Sequence, residues 1–557
     1  MDVNKDIGTE NVNPISSDSK ARSDSGIPQS STNDNLPYIS PTPGEIPIIA
    51  QDPIPGSFHN ALKCVPDTPE DKDAACRHYH DVFKEIIQSV KKCGFNAMIT
   101  GGSFEVMDKM LDTAAELGIK TILISGYFHD KSDNILNSSI DRYKNRKIRP
   151  AAFEIMDEPH YYDWGDALYK EMETKDDGTE VPVERTFNNL TLGHRLLTTY
   201  IPDIMSYFNL AAPERKKDVS LPKGWIGTSG TYENYLNVLQ NLYRPGVWSY
   251  DLYPFRINNG LQEMSVANPE TDPPADTETL YEHFYSHLET FSAQAKKTGR
   301  PFWAYCMCEG HGEHKYNNEA KKFYPQWFMP VPTEGMLRFE AFSALAYGAQ
   351  GIVYWQYGKG YSEVQKLHRE NPDVDVENDI EGFIYEDAPL SITKPDGSEE
   401  YVKGEGEDYK FPLDQIVLHY GEGKPIWKAV RQVNAEIKAF SDVFLRCKLL
   451  YAAHVGQIYE GAPQLSGKVA GVEIVKTGKK GVLVTHLGNP LHEFVVIVNH
   501  DPFYPQEVRC TLNNIRKHTV RMFGIADESL TPRLSEPKSF TRNLAPGGCV
   551  IIQTKIS

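Results

Sequence analysis

The chain has 557 residues, more than one hydrophobic core of ordinary size accommodates, so its length indicates two domains. Its 58 Lys and Arg against 76 Asp and Glu give a net charge of −18, which disfavours nucleic acid and anionic lipid as partners. No apolar run approaches the roughly 20 residues of a membrane-spanning helix, so we expect no transmembrane segment.

The first 44 residues are polar. Eight Ser fall between Ser16 and Ser40, and Tyr38 is the one aromatic residue. Such a segment buries too little apolar surface to offset the entropy of ordering, so we predict a disordered leader or linker over residues 1–44. The N-terminus lacks a basic stretch followed by an apolar core, so no signal peptide is visible. The location is therefore periplasmic, cell-surface or secreted if a signal peptide has been removed, and cytoplasmic otherwise.

The cysteines and histidines give little support for a metal or a cofactor. None of the eight Cys forms a Cys-X-X-Cys pair, the spacing of zinc ribbons and thioredoxin motifs. His311 and His314 lie three residues apart, but on a glycine-flanked stretch that is more typical of a solvated loop. Gly101-Gly102 lacks the neighbours of a phosphate-binding loop and is more typical of a tight turn. We therefore expect no metal and no cofactor.

Short apolar runs alternate with segments of helical periodicity along most of the chain. The runs predict eight strands, at Ile46–Ala50, Phe95–Ile99, Ile119–Ser125, Phe153–Met156, Ile204–Phe208, Val247–Tyr250, Phe302–Met307 and Ile352–Trp355. Helical patterns lie between most of them, notably around Leu190–Tyr200, Tyr232–Leu242, Leu280–Ala295 and Met336–Tyr347. Eight strands that each lead to a helix predict a parallel (β/α)8 TIM barrel over residues 45–446. Within it we predict an extended loop over 359–414 and a closing helix at Lys424–Phe440.

The last part of the chain has a different pattern. After Arg446 helical periodicity is absent, and short β-rich runs are separated by turn residues. These runs are Val482–Thr485, Phe494–Val498, Val520–Phe523 and Val550–Thr554. They predict a C-terminal all-β sandwich domain over residues 447–557.

Two glutamates follow predicted barrel strands. In a barrel of this kind the active site lies at the C-terminal ends of the strands. Glu158 follows strand four in the run Asp157-Glu158-Pro159-His160, and Pro159 restricts Glu158 to an extended conformation. Glu309 follows strand seven after Cys308. We therefore expect Glu158 and Glu309 to face each other across the barrel mouth.

Aromatic and polar residues at other strand ends are candidate substrate contacts. Asp251 and Tyr253 end strand six, Trp355 ends strand eight, and Tyr305 points the same way as Glu309 if strand seven is regular. Trp and Tyr rings stack on the apolar face of a sugar, while Asp157, His160 and Asp251 would bind its hydroxyls. Trp303 and Tyr305 are equally compatible with filling the barrel.

Two facing carboxyl groups suit the hydrolysis of a glycosidic bond. One must be protonated to donate to the leaving oxygen, and the other must be ionised to attack the anomeric carbon or to activate water. Retaining enzymes hold the two groups about 5–5.5 Å apart, and inverting enzymes about 6.5–9.5 Å apart. The spacing of the two carboxyl groups therefore decides between the two mechanisms.

The strand-four motif resembles that of a known group of enzymes. Asp157-Glu158-Pro159 is similar to the Asn-Glu-Pro of the clan of retaining (β/α)8-barrel glycoside hydrolases, clan GH-A. The segments Pro301–Glu309, Pro332–Arg338 and Ala346–Ile352 look like the beta-galactosidase-type glycoside hydrolase family 42. Tyr253-Pro254 resembles the clan's tyrosine that bonds the nucleophile. The resemblance covers about residues 95–440.

The resemblance implies a role for each of these residues. Glu158 would be the acid/base and Glu309 the nucleophile of a retaining, double-displacement mechanism. Asp157 replaces the clan's Asn that reads the sugar 2-hydroxyl. Glu313 and Glu334 follow Glu309 closely and are the alternatives to it as nucleophile.

The sequence thus predicts a glycoside hydrolase that acts on an oligo- or polysaccharide substrate. Two alternatives stay open, a catalytically silent carbohydrate-binding protein on the same barrel and a metal-dependent barrel hydrolase. The second would need His and Asp ligands at several strand ends, where the His residues of this chain do not lie. The sugar, its linkage, exo or endo action and the oligomeric state also stay open.

Overall fold

The structure is a computed structural model that describes part of the chain. The described residues are 40–53, 80, 83–101, 104–124, 140–157, 172–174, 180–182, 197–211, 232–255, 257–258, 277–309, 311–318, 320–329, 331–357, 375–376, 391–393, 399–401, 425–457, 463–513, 521–524, 533–534 and 539–556. The predicted leader lies outside these ranges except for residues 40–44, and so does most of the predicted loop 359–414.

Eight parallel strands close into a barrel. They are β1 (Ile48–Gln51), β2 (Ala97–Thr100), β3 (Lys120–Ile124), β4 (Ala152–Asp157), β5 (Met205–Ala211), β6 (Trp248–Asp251), β7 (Phe302–Met307) and β8 (Ile352–Trp355). Strand β1 pairs with both β2 and β8, which closes the ring. The predicted barrel is therefore confirmed, and the bounds of β7 and β8 agree with the prediction at both ends.

The strands read as continuous apolar runs because both of their faces are buried. In β7 all six positions are buried. Trp303 and Tyr305 point into the bore, whereas Phe302, Ala304 and Cys306 pack against the surrounding helices. A parallel strand covered on both sides loses the alternation of a half-exposed strand, which is why length and flanking residues identify these strands better than periodicity does.

Helices surround the barrel. They include α1 (Phe104–Glu116), α2 (Tyr232–Leu242), α3 (Thr277–Thr298), α4 (Glu334–Ala346), α5 (Pro425–Ala439) and α6 (Ser441–Arg446), and residues 83–92 are also helical. Helix α4 begins at the N-cap Thr333, whose side chain accepts a hydrogen bond from Met336 N, and it is buried from Gly335 to Ala346. In the described part of the chain, no helix has the length and apolar character needed to cross a bilayer.

Two antiparallel sheets follow the barrel. Their strands are β9 (Lys448–Gly456), β10 (Lys468–Val469), β11 (Val472–Lys476), β12 (Gly481–Gly488), β13 (His492–Asn499), β14 (Gln506–Leu512), β15 (Arg521–Gly524), β16 (Arg533–Leu534), β17 (Ser539–Leu544) and β18 (Cys549–Ile556). One sheet has the order β9-β12-β13-β18-β15-β16, and the other has the order β10-β11-β14-β17. Side chains such as Val484, Ile497 and Val508 form a core between them, so the predicted sandwich is confirmed.

The six-stranded sheet is buried on both of its faces. Its second face carries Leu483, Val496 and Ile551, which belong to the same apolar core as helix α4. A hydrogen bond of 2.9 Å also joins Tyr347, just after α4, to Nε2 of His454 on β9. Burial lowers the pKa of His454 to about 3, so this imidazole is neutral at physiological pH. The barrel and both sheets lie in one compact unit, Tyr38–Ser557, and the predicted domain boundary at residue 446 stays a prediction.

The loop after β7 contains strands that the sequence did not predict. Residues His311–Asn317 and Lys322–Met329 pair as an antiparallel hairpin. Ile257–Asn258 and Asp375–Val376 pair with its second strand. The first of these strands is polar, with His, Glu, Lys and Asn. The second contains aromatic residues that were not predicted to lie in a strand, Phe323, Tyr324, Trp327 and Phe328.

Candidate active site

The lower part of the barrel bore is packed with apolar side chains. Trp303 is fully buried, and its ring centroid lies 5.2 Å from that of Tyr207. It packs on Gly351, where a Cβ would come within 2.4 Å of the Trp303 ring. Trp303 therefore fills the barrel rather than forming a surface on which a sugar could stack.

A buried carboxyl group lies above this apolar layer. Glu154, in the middle of β4, has no exposed surface, and its Oε2 accepts a hydrogen bond of 2.7 Å from the Tyr207 hydroxyl. Burial raises the pKa of Glu154 well above its usual range, and Asp157 and Asp52 raise it further. The Tyr207 bond lowers this pKa, as does the Tyr305 hydroxyl, which faces Glu154 without good hydrogen-bonding geometry. Burial and the neighbouring acids therefore favour the protonated form of Glu154.

Asp157 ends β4 and points into the same bore as Glu154. A register shift between Glu154 and Met156 allows this, because in a regular strand residues 154 and 157 lie on opposite faces. Asn209 Nδ2 donates to Asp157 Oδ1 over 2.8 Å, and Ser249 Oγ donates to Asn209 Oδ1 over 3.0 Å. Burial raises the pKa of Asp157, while the Asn209 bond lowers it. Two neighbouring strands thus fix the position of this carboxyl group.

A third carboxyl group lies at the end of β1. Asp52 has a φ of 43°, in the left-handed region, and its backbone N–H donates to Ile99 O over 2.9 Å. Burial raises the pKa of Asp52 to about 7, with a further contribution from Asp157, and a hydrogen bond with Gln51 lowers it. We call Gln51, Asp52, Glu154 and Asp157 the acidic mouth, because the charges of these acids act on one another and Gln51 hydrogen-bonds to Asp52.

Glu309 lies at the same end of the barrel. It lies two residues after the end of β7, and 1% of its surface is exposed. The preceding residue, Cys308, is hydrogen-bonded to the end of β8, because its backbone N–H donates to Trp355 O over 2.8 Å. Below it, Met307 N donates to Glu340 Oε2 of helix α4 over 2.8 Å. The backbone that carries Glu309 is therefore held from two directions.

Two aromatic side chains lie between the ends of β6 and β8. The rings of Tyr253 and Trp355 are stacked, with centroids 5.3 Å apart and an angle of 23° between their planes. Both rings are partly buried, as is Asp251 at the end of β6. Tyr305 is 3% exposed and lies deeper in the bore, so its predicted contact with substrate stays a prediction.

The described residues leave out part of the predicted site. Glu158 and His160 lie outside them, as does the side chain of Glu313, so the predicted separation of Glu158 from Glu309 stays a prediction. Glu334 lies in the first turn of α4 and forms an ion pair with Arg338, which also pairs with Glu436 on α5. The choice among Glu309, Glu313 and Glu334 as nucleophile stays a prediction.

Sequence reasoning missed four residues of the site. These are Gln51, Asp52, Glu154 and Asn209. Polar residues in or directly after otherwise apolar barrel strands were the available signal. Among the described residues, no group of three His, Cys, Asp or Glu side chains has the geometry of a metal site. The side chains of His311 and His314 lie outside that search.

Comparison with known proteins gives similarity at the level of solved structures. No family model matches the chain, and no curated protein matches it. The chain is similar to the beta-galactosidase of the psychrophilic Marinomonas ef1, with 12% identity and a TM-score of 0.35, over 72% of this chain and 60% of that one. It is similar to the cold-adapted beta-galactosidase of Rahnella sp. R3, with 11% identity and a TM-score of 0.43, over 93% of this chain and all of that one.

A third similar structure is the family 1 beta-glucosidase of Thermotoga maritima. The identity is 13% and the TM-score 0.32, over 57% of this chain and 89% of that one. All three names are those of glycosidases. The finer resemblance to family 42 stays a prediction.

Proposed function

We propose that this chain is a glycoside hydrolase that cleaves O-glycosidic bonds of oligo- or polysaccharides with retention of configuration. The observation that supports it most is the position of two acids at one end of the barrel. Glu309 follows β7, and Asp157, one residue before Glu158, ends β4 on the inner face. A barrel with acids on these two strand ends suits a reaction that needs one acid and one nucleophile.

The reaction would proceed in two steps. Glu309 would attack the anomeric carbon while Glu158 protonates the leaving oxygen, which forms a glycosyl ester and releases the first product. Water would then attack the same carbon, giving its proton to Glu158 and releasing Glu309 as a carboxylate. Two inversions at one carbon give net retention.

The surroundings of the two acids fit these roles. Asp157, one carboxyl group of the acidic mouth, directly precedes Glu158 in the chain, and nearby negative charge favours the protonated form that a general acid needs. The hydrogen bond from Cys308 N to Trp355 O would keep Glu309 in one position, as a nucleophile requires. Trp355, supported by Tyr253, would stack on the sugar ring.

A panel of chromogenic glycosides tests this proposal. The wild-type protein should release the chromophore from at least one glycoside, and proton NMR of the first product formed should show the configuration of the substrate. The variant Glu158→Gln should lose about 10²–10⁴-fold in rate on natural substrates, which need protonation of the leaving group. It should lose far less on glycosides with a good leaving group. No hydrolysis of any glycoside, or a product of inverted configuration, would contradict the proposal.

A further inference from the structure

The acidic mouth has more polar atoms than its own side chains satisfy. Gln51 is 5% exposed, and within the described part of the chain its Oε1 accepts no hydrogen bond. Oε1 of Glu154, which is fully buried, likewise accepts no hydrogen bond of good geometry among the described residues, although the Tyr305 hydroxyl faces this carboxyl group. Buried polar atoms without partners are costly, so two of them beside the same acids indicate that a ligand completes the site.

The charge of the acidic mouth indicates what kind of ligand this is. Among the described residues, none of the groups that shift the pKa values of Asp52, Glu154 and Asp157 is a cation. The three carboxyl groups instead disfavour one another's ionised forms. A neutral hydroxyl would satisfy hydrogen bonds here but would leave this repulsion in place. An ammonium group has three hydrogen-bond donors, no acceptor and a positive charge. It would therefore supply the missing hydrogen bonds and also reduce the repulsion between the carboxyl groups.

The acidic mouth lies beside the aromatic pair. Strands β1 and β8 are neighbours, with Ala50 opposite Tyr354, so the next residues along, Gln51 and Trp355, lie at the same level. Gln51 O also accepts a hydrogen bond of 2.9 Å from Tyr357 N, which joins the chain after β8 to the end of β1. A sugar ring that stacks on Trp355 would therefore present its substituents to Asp52, on whose carboxyl group the charge of Asp157 acts.

We propose that the acidic mouth binds a sugar ring that carries a protonated amine, with the ammonium group between Asp52 and Asp157 and the ring against Trp355. This inference rests on the proposed function, because it uses the same site, but it names the class of sugar: amino sugars rather than neutral ones. Asp157, fixed by Asn209, is the residue that determines this specificity.

Calorimetric titration of the full chain tests the inference without any turnover. The probes are glucosamine, galactosamine and mannosamine, each compared with its neutral parent sugar and its N-acetyl derivative at about pH 7. One amino sugar should bind about tenfold or more tightly than both of its counterparts, the effect of one charge-assisted hydrogen bond. Binding should also release protons, seen as a heat that depends on the buffer, because a cation favours the ionised carboxyl groups.

Two Asp→Asn variants locate the effect. Asp157→Asn keeps the shape of the side chain and an acceptor for Asn209, so the fold should persist while the preference for the amine falls to near onefold. The matched control is Asp203→Asn, which removes the same charge just before β5, at the opposite end of the barrel, where Asp203 pairs with Arg149. It should keep the full preference, and circular dichroism should show that both variants are folded.

Several results would overturn the inference. They are no binding of any amino sugar, binding no tighter than that of the neutral counterparts, a preference that survives Asp157→Asn, or one that Asp203→Asn abolishes. Failure of the proposed function has a different signature. A protein that hydrolyses neutral chromogenic glycosides but binds amino sugars without preference retains the function and loses this inference. A protein that prefers amino sugars through Asp157 but hydrolyses no glycoside retains this inference and loses the proposed function.

Discussion

Replacing Asp52 by Asn should stabilise the protein, and the gain should grow with pH. The fold raises the pKa of Asp52 from its ordinary 3.8 to about 7, mainly by burial. Below about pH 4 the carboxyl group is protonated in both the folded and the unfolded chain, so it does not affect the balance between them. Between about pH 4 and 7 the unfolded chain releases the proton and the folded chain retains it. Wild-type stability therefore falls over this range.

The size of the effect follows from the two pKa values. A rise from 3.8 to about 7 corresponds to about 4 kcal/mol, at about 1.4 kcal/mol for each pH unit. Because Asp157 contributes to the rise and can itself take up a proton, we expect about 2–4 kcal/mol at about pH 8. Asn resembles the protonated carboxyl group and carries no charge, so Asp52→Asn removes this cost at every pH.

Urea denaturation of the wild type and Asp52→Asn from about pH 4 to 8 measures the effect. The difference in the free energy of unfolding should be near zero at the acid end and reach its full size above about pH 7. Asp203→Asn is the control, and its effect on the free energy of unfolding should have the opposite sign, because the hydrogen bond with Arg149 lowers the pKa of Asp203. Asp203 therefore stabilises the fold above its unfolded pKa and loses that effect as the pH falls. A difference for Asp52→Asn that stays constant with pH would refute the reasoning.

Two further predictions concern residues that support the site. Glu340 is buried and accepts a hydrogen bond from Met307 N, and burial raises its pKa well above the usual range, which favours the neutral carboxyl group. Glu340→Gln should change the free energy of unfolding by less than about 1 kcal/mol, because the amide oxygen can still accept from Met307 N. Glu340→Leu should cost about 1–3 kcal/mol, because it leaves the Met307 N–H without an acceptor. Equal losses for the two variants in urea denaturation would contradict this. Gly351→Ala should cost about 1–3 kcal/mol of stability, because the added Cβ would come within 2.4 Å of the Trp303 ring. The control is Gly101→Ala, whose Cβ would have its nearest neighbour at 3.6 Å. A melting temperature of Gly351→Ala no lower than that of Gly101→Ala would contradict this packing.

The barrel was predictable because its strands are buried on both faces. Runs such as Phe302–Met307 and Ile352–Trp355 are apolar at nearly every position and are bounded by polar or glycine-containing segments. The same reasoning found four runs in the C-terminal sheets, and all four lie in the six-stranded sheet, which is also covered on both faces. The four-stranded sheet was missed because its exposed face interrupts the apolar runs, as in Gln506–Leu512, where buried and exposed residues alternate.

The site was predictable where a residue directly ends a strand. Asp157 ends β4 and Glu309 lies two residues after β7, which is why the sequence indicated both; their roles stay predictions. Glu154 was missed because nothing in the sequence marks the register shift that turns both it and Asp157 inward. Asp52 was missed because its significance depends on burial and on the charge of Asp157, which is distant along the chain. Such effects depend on which strand ends the closed barrel brings together.

The separation of the Glu158 and Glu309 carboxyl carbons in a crystal structure with bound product tests the central claim most directly. Our account predicts about 5–6 Å, the distance at which one carboxylate reaches the anomeric carbon while the other reaches the leaving oxygen. A separation of about 8–9 Å would leave room for a water molecule and would indicate inversion instead. Glu309 turned away from Glu158, with Glu313 in its place, would contradict the assignment of the nucleophile.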